Sequence, residues 1–439
     1  MRTGPRTLVV RLDSVGDVLL AGPAVRAVAA GSSWTAMLCG PRGAAAARLL
    51  PGVDEVLEYD APWVGLDAPP VSPAVCDRLV RTLAARRFDR ALVLVSYHQS
   101  PLPIALLLRL AGVAWIGADS EDYPGTLLDL RHRRDPGRHE VEAALDLARA
   151  AGFTLPPGDD GGLRVTSVPS DAAPLPDRPP DAPVPYGATS IPAVPPGGST
   201  DALSTAGRPA APPAPCEEAP HPSDARGAMD LTRLTGPGPY VVLHPGAAVP
   251  ARAWSPARAA RAVAALHAAG YRVVVTGSAA EQGMTALVAG RYGIDLGGAT
   301  TGLGELSSVL ARAGAVVTGN TGPAHLAAAV RTPVVCLFAP VVPAERWRPY
   351  GVPHVLLGDQ RAPCALTRAR ACPVPGHPCL DAVGDDEVVA AVTALLRRRP
   401  AAAPEPTPAP PPTPTSTPTS TSTSTSISTP APARGGTSS

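Results

Sequence analysis

The sequence predicts an α/β fold built twice over: two Rossmann-like bodies, each a parallel sheet covered by helices, with a cleft between them. Three observations carry this. Short apolar runs rich in Val, Leu and Ala alternate with longer stretches of helical apolar spacing, the pattern of strands buried on both faces. The alternation occurs in two blocks, 1–168 and 229–399. Between them 169–228 is dense in Pro, Ala, Ser and Asp without an apolar period, and 400–439 becomes Pro-Thr-Ser repeats. Neither stretch can bury enough apolar surface to offset its ordering entropy, so they are predicted as a disordered linker and a disordered tail.

In chain order, the first block is expected to place strands at 7–12, 34–39, 90–95, 113–117 and 163–168, with helices at 17–30, 73–86, 101–111 and 139–151. The second is expected to place strands at 240–244, 271–276, 315–318 and 333–338, with helices at 256–269, 280–291, 304–313, 323–330 and 385–398. In such sheets ligands bind outside the carboxyl ends of the strands, so the loops that follow strands are where chemistry is sought.

Composition narrows the function. All 38 basic residues are Arg, which excludes Schiff-base lysines, a pyridoxal-phosphate lysine and a P-loop lysine. A net charge of +1 gives no global drive toward nucleic acid. No apolar run reaches the length of a membrane span. The chain passes straight into the strand-like segment 7–12, so no signal peptide is expected, and the seven scattered cysteines are expected as reduced thiols in the cytoplasm.

Three loops stand out. DSVGDVLLAGP (13–23) follows the first expected strand, and Asp17 opens the helix after it. Asp17 reads either as a first-turn acid favoured by the helix dipole or as a carboxylate presented to a ligand. The loop is not G-x-G-x-x-G, so a dinucleotide site is not supported. NTGPAHL (320–326) runs from a buried strand into a helix with Pro323 in its first turn. The N–H groups around Gly322, Ala324 and His325 would suit a diphosphate, and the plainer reading is a capped helix with a buried His325. HPGAAVPARAW (244–254) places Arg252 in a loop after a strand, where a guanidinium can bind phosphate in two-point fashion or simply be solvated. The loop Thr276-Gly277-Ser278, with Glu281 after it, adds a polar rim at the same edge.

Together these segments, with RHEVE (138–142), resemble glycosyltransferase family 9, the ADP-heptose:lipopolysaccharide heptosyltransferase family, across both blocks. The resemblance implies a GT-B fold with the acceptor on the 1–168 domain and the nucleotide-sugar on the 229–399 domain. It implies inverting, metal-independent transfer of a sugar, a heptose among the candidates, from a nucleotide-diphosphate donor, ADP-linked donors among them. The acceptor it implies is a cell-envelope or glycoconjugate one: a glycan, a lipid-linked molecule or a metabolite. It carries the general-base role onto Asp17, and donor contacts onto Arg252, Asn320, Thr321, Gly322 and His325, more loosely onto Thr301 and Glu281. No cofactor beyond the donor and no metal are expected. Where the family has an acidic residue this chain has Asn320; Arg252 stands for a usual Lys; Ala247 and Ala248 replace polar residues.

Lesser signals remain. Cys364, Cys372 and Cys379 with His377 offer zinc-type ligands, but the spacing matches no C-x₂-C pattern, so free thiols or a disulfide are the plainer expectation. RHRRDPGRH (131–139) is a basic stretch suited to a solvated loop, a phosphorylated acceptor or peripheral contact with the inner face of a membrane. His98 follows a strand on the acceptor side. Two other functions fit the same fold: a nucleotide-sugar epimerase, and a sugar-nucleotide-binding protein without transfer activity.

Overall fold

Residues 6–11 show why the sheets lie inside. Leu8 and Val10 point to one face and Val9 to the other, and all three are fully buried, so this strand needs cover on both sides. The computed structural model describes residues 3–65, 68–96, 98–166, 235, 239–300 and 302–397. The expected linker 169–228 and tail 400–439 lie outside the described residues.

The first sheet comprises β1 (Arg6–Arg11), β2 (Trp34–Cys39), β3 (Glu55–Glu58), β4 (Arg90–Val93), β5 (Trp115–Asp119) and β6 (Leu130–His132). Every pairing is parallel, and the order is β3-β2-β1-β4-β5-β6. Helices α1 (Val15–Ala30), α2 (Pro41–Ala47), α3 (Pro73–Arg86), α4 (Leu102–Leu110) and α5 (Glu140–Ala150) cover it. The second sheet comprises β7 (Val241–His244), β8 (Val273–Gly277), β9 (Gly293–Gly297), β10 (Ala315–Gly319), β11 (Val334–Leu337) and β12 (His354–Leu357), in the order β12-β11-β10-β7-β8-β9. Its helices are α6 (Pro256–Ala268), α7 (Gln282–Ala289), α8 (Leu303–Ala311), α9 (Gly322–Ala329), α10 (Ala344–Trp347), α11 (Pro378–Asp381) and α12 (Asp385–Arg397). Counted from its own first strand, the second sheet repeats the order of the first. In each, the order reverses between the first and fourth strands, and that switch point is where such sheets bind ligands.

The halves share a core. One apolar cluster runs from Val18, Leu19 and Val25 of α1 into Leu326 and Ala328 of α9. α1 is buried almost all round, which is why its apolar residues show no single stripe. The approach is close at the helix starts. A Cβ on Gly16 would meet His325 Cδ2 at 2.9 Å, and one on Gly322 would meet Val15 Cγ1 at 3.1 Å.

The sequence reading differs from the structure in three ways, one being that the short helices α2, α10 and α11 were not foreseen. Residues 163–166 form no strand; Thr166 N–H makes one bond of 2.8 Å to Leu49 O. Four strands were not foreseen, and β3, β6, β9 and β12 are the four sheet edges. Edges are half-covered and tolerate charge, here Glu55, Glu58, Arg131 and Asp295, so they lack the apolar run that marks a central strand.

Candidate functional site

The two switch points face each other across a cleft of about 200 Å³, and the loops after β1, β4, β7 and β10 supply its walls. On the N-terminal wall stand Asp13, Ser14, Asp17, Ser96 and His98. On the C-terminal wall stand Arg252, Asn320, Thr321, Gly322 and His325, joined by Trp347, Arg368 and Arg370. Six of the predicted site residues thus share one cavity.

Asp17 sits in the first turn of α1, behind Ser14 at the N-cap. Its carboxylate binds side chains. Oδ1 accepts from Arg11 Nη2 at 3.1 Å and from Trp347 Nε1 at 3.3 Å; Oδ2 accepts from Ser14 Oγ at 2.9 Å. Burial raises its pKa, but Arg11, the Ser14 hydroxyl, His325 and the Trp347 indole together bring it below the ordinary carboxylate value. Arg11 is itself buried, at the end of β1, between three carboxylates: Asp13 at 2.9 Å, Asp17 at 3.1 Å and Glu140 at 3.5 Å. Asp13 also accepts from Gln99 Nε2 at 2.6 Å, yet burial, with Asp17 adding to it against Arg11, pushes it up to about 6. Two neighbouring carboxylates therefore differ in proton affinity, with the stronger acid being Asp17.

The opposite wall is cationic and neutral. Burial lowers the pKa of Arg252, which remains a cation, and its Nε is buried without a hydrogen-bond partner among the described residues. His325 is buried and held down to about 4, so its imidazole is neutral, and its Nδ1 also lacks a partner among the described residues. Thr321 caps α9 by position, and Pro323 fits its first turn. Ala324 N–H, expected for an anion, already donates to Thr321 O at 3.1 Å. Asn320 lines the cleft, but its amide bridges to the end of β11: Nδ2 donates to Ala339 O at 3.4 Å and Oδ1 accepts from Ala339 N at 3.3 Å. Asn320→Ala is therefore expected to strand both polar groups of buried Ala339 and lower the unfolding free energy by about 1–3 kcal/mol in urea titrations.

The other predicted residues lie elsewhere. Glu281 is not on the cleft wall; Oε2 accepts from Ser278 N at 2.8 Å and Ser278 Oγ at 2.7 Å, and the side chain packs on Gly246 of the Pro-Gly turn. Thr301 lies outside the described residues. Trp254 is core. His98 lines the cleft.

Arg368 and Arg370 were not foreseen. They come from a loop remote in sequence. Arg368 holds a left-handed backbone (φ 57°), with its N–H on Val341 O at 2.8 Å, and Ala251 N–H donates to Arg370 O at 2.9 Å. That last bond ties the loop to the turn carrying Arg252. In the same loop Cys364, Cys372 and Cys379 are free thiols, and His377 Nε2 is bonded to Ala251 O at 3.2 Å. Among the described residues no group of three or more His, Cys, Asp or Glu is placed to hold a metal.

Two facing sheets of identical strand order, with a ligand cleft at their switch points, define the GT-B architecture. The same architecture is found in a glycosyltransferase family 9 protein of Veillonella parvula, with 16% identity and a TM-score of 0.64 over 91% of this chain and 99% of that one. It is found too in ADP-heptose lipopolysaccharide heptosyltransferase II of Escherichia coli, with 18% identity and a TM-score of 0.59 over 90% and 99%. At these identities the likeness shows the fold. The model of glycosyltransferase family 9 (heptosyltransferase) matches residues 216–377 of this chain. A 116-residue segment is 31% identical to lipopolysaccharide heptosyltransferase 3 of Escherichia coli, covering 25% of this chain and 34% of that protein. The chain thus spans about a third of the curated relative it matches.

Proposed function

We propose that this protein is an inverting, metal-independent glycosyltransferase. It moves a sugar, with a heptose the leading candidate, from a nucleoside-diphosphate donor to a cell-envelope or glycoconjugate acceptor. One observation carries the reading: an ionised carboxylate, Asp17, faces a half-buried guanidinium, Arg252, and the start of α9 across one cleft. The acceptor hydroxyl attacks the anomeric carbon and the bond from that carbon to the diphosphate oxygen breaks. The hydroxyl proton passes to Asp17, and the electron pair leaves with the diphosphate. Arg252 and the positive pole of α9 take up the charge on the leaving group. Nδ1 of His325 and Nε of Arg252, without a hydrogen-bond partner among the described residues, are the polar atoms a bound donor would satisfy.

An ADP-linked heptose fits best with the relatives' names, one structure being heptosyltransferase WaaC of Escherichia coli with ADP-2-deoxy-2-fluoro heptose (18% identity, TM-score 0.55, 89% of this chain and 99% of that one). Buried free thiols at Cys39 and Cys336 suit a reducing cytoplasm. No helix among the described residues is long and apolar enough to cross a membrane. Contact with the inner face of a membrane would be peripheral and would rest on exposed Arg133, because Arg134 and Arg138 of the basic stretch 131–139 are paired with carboxylates and His139 is buried.

The test is a thermal-shift screen of ADP-, GDP-, UDP- and dTDP-sugars followed by transfer assays. A ligand bound only by the folded state raises Tm by mass action. One donor class is expected to raise Tm, and Arg252→Ala to abolish the rise. No shift with any diphosphate donor would overturn the reading.

A further inference from the structure

The segment 346–350 of the C-terminal half docks on the N-terminal half beside the proposed base. His139 Nδ1 accepts from Val141 N–H at 3.2 Å, capping α5. Burial keeps that imidazole neutral, so Nε2 carries its hydrogen and donates to Arg348 O at 3.0 Å. The Tyr350 ring packs on the His139 ring with centroids 4.7 Å apart. Arg346 approaches buried Glu140 at 3.9 Å. Between these contacts, Trp347 Nε1 reaches Asp17 Oδ1.

A carboxylate offers about four acceptor directions. On Asp17, Arg11 and Trp347 take up Oδ1 and Ser14 takes one direction on Oδ2. The direction left on Oδ2 is the one available to an acceptor hydroxyl. Arg11 and Ser14 belong to the same half as Asp17 and hold it in any arrangement of the halves. The indole arrives only with the C-terminal half.

We infer that Trp347 is a positioning residue: by donating its indole N–H across the interdomain cleft, it fixes the carboxylate of Asp17 and makes the base ready only when the halves are closed. The inference rests on the glycosyltransferase reading for its kinetic consequence but not for the contact itself. The charged and titratable groups around Asp17 are Arg11, Asp13, His98 and Glu140 from the N-terminal half and Arg252, His325, Arg368 and Arg370 from the C-terminal half. Of these Arg11 donates to Asp17 Oδ1, and it belongs to the same half as Asp17, whereas the Trp347 indole comes from the other half.

The full-length chain labelled with [¹⁵N]Trp reports the contact without turnover. It has five tryptophans, hence five indole N–H signals. Asp17→Asn is expected to move one of them, and Trp347→Phe to delete that same signal while the other four hold their positions. The Asp17→Asn shift is readable even where Trp347→Phe fails to fold. In transfer assays Trp347→Phe is expected to lower kcat by about tenfold, the scale of one hydrogen bond to a charged group, with donor KM within about twofold. If Asp17→Asn moves no indole signal, or moves one that survives in Trp347→Phe, the contact is wrong. If the signals behave as expected but kcat is unchanged in an active enzyme, the positioning role fails while the transferase reading stands. If no donor turns over in any form, the reading fails and the indole signals still decide the contact.

Discussion

Asp17→Asn is expected to lower kcat for sugar transfer by about 10² to 10⁴-fold, with donor affinity within about threefold. The substitution keeps shape and removes charge. Its cost to folding is small, because Arg11 retains Asp13 at 2.9 Å and Glu140 at 3.5 Å as counter-charges. Donor binding is expected to be spared, because in the proposed reading the diphosphate sits on the opposite wall. The competing base is Asp13, four residues away on the same cleft, and pH separates the two. A base works deprotonated, so activity falls as pH drops through its pKa. Asp17 is held below the ordinary carboxylate range, and Asp13 is pushed up to about 6. With Asp17 as base, initial rates at pH 5 and pH 7 agree within about twofold; with Asp13 as base, the rate at pH 5 is about tenfold lower. Full activity in Asp17→Asn, or a tenfold drop at pH 5, would move the role to Asp13.

How much of this was legible in the sequence follows from which features are local. The central strands could be read because each is an unbroken apolar run, as at Val241–His244, and the edges could not because exposure lets charge in, as at Glu55–Glu58. Asp17, Arg252 and the 320–325 loop each lie within a few residues of a strand end, so the fold's own logic pointed to them. Arg368, Arg370 and Trp347 carry no such mark. They reach the cleft through chain packing: a left-handed turn at Arg368 and a four-residue helix ending at Trp347. Local and distant uses of one residue also differ in how far a motif shows them. Glu281, expected as a donor contact, also closes a capping box with Ser278, a use legible from a Ser three residues before a Glu. Asn320 differs: its amide meets Ala339 across 19 residues of sequence, a partner that no motif displays.

Acid is expected to unfold the protein well before its carboxylates titrate as a class. His139, His244 and His325 are 3%, 9% and 4% exposed, and burial lowers each pKa from 6.5 to about 4. In the unfolded chain they take up protons near pH 6.5; in the folded chain they stay neutral until about pH 4. Stability is therefore complete above pH 6.5 and drains as pH falls toward 4, where the folded forms also protonate. Each histidine alone corresponds to about 3 kcal/mol. Asp13 works in the other direction. Its pKa is raised to about 6, so stability rises as pH falls from there to the unfolded value of 3.8, by a similar amount. Three histidines against that carboxylate leave a net loss of about 6 kcal/mol by pH 4, much of the stability of an ordinary domain. Urea titrations at half-unit steps from pH 7.5 to 4.5 read this as a falling midpoint. His139→Asn gives the residue-level check, because Asn also caps a helix and does not titrate. It is expected to reduce the proton uptake on unfolding near pH 5.5 by about one. An unchanged pH slope in that variant would mean that His139 is already charged in the folded protein, and the neutral imidazole donating to Arg348 O would be the wrong tautomeric picture of the interdomain seam.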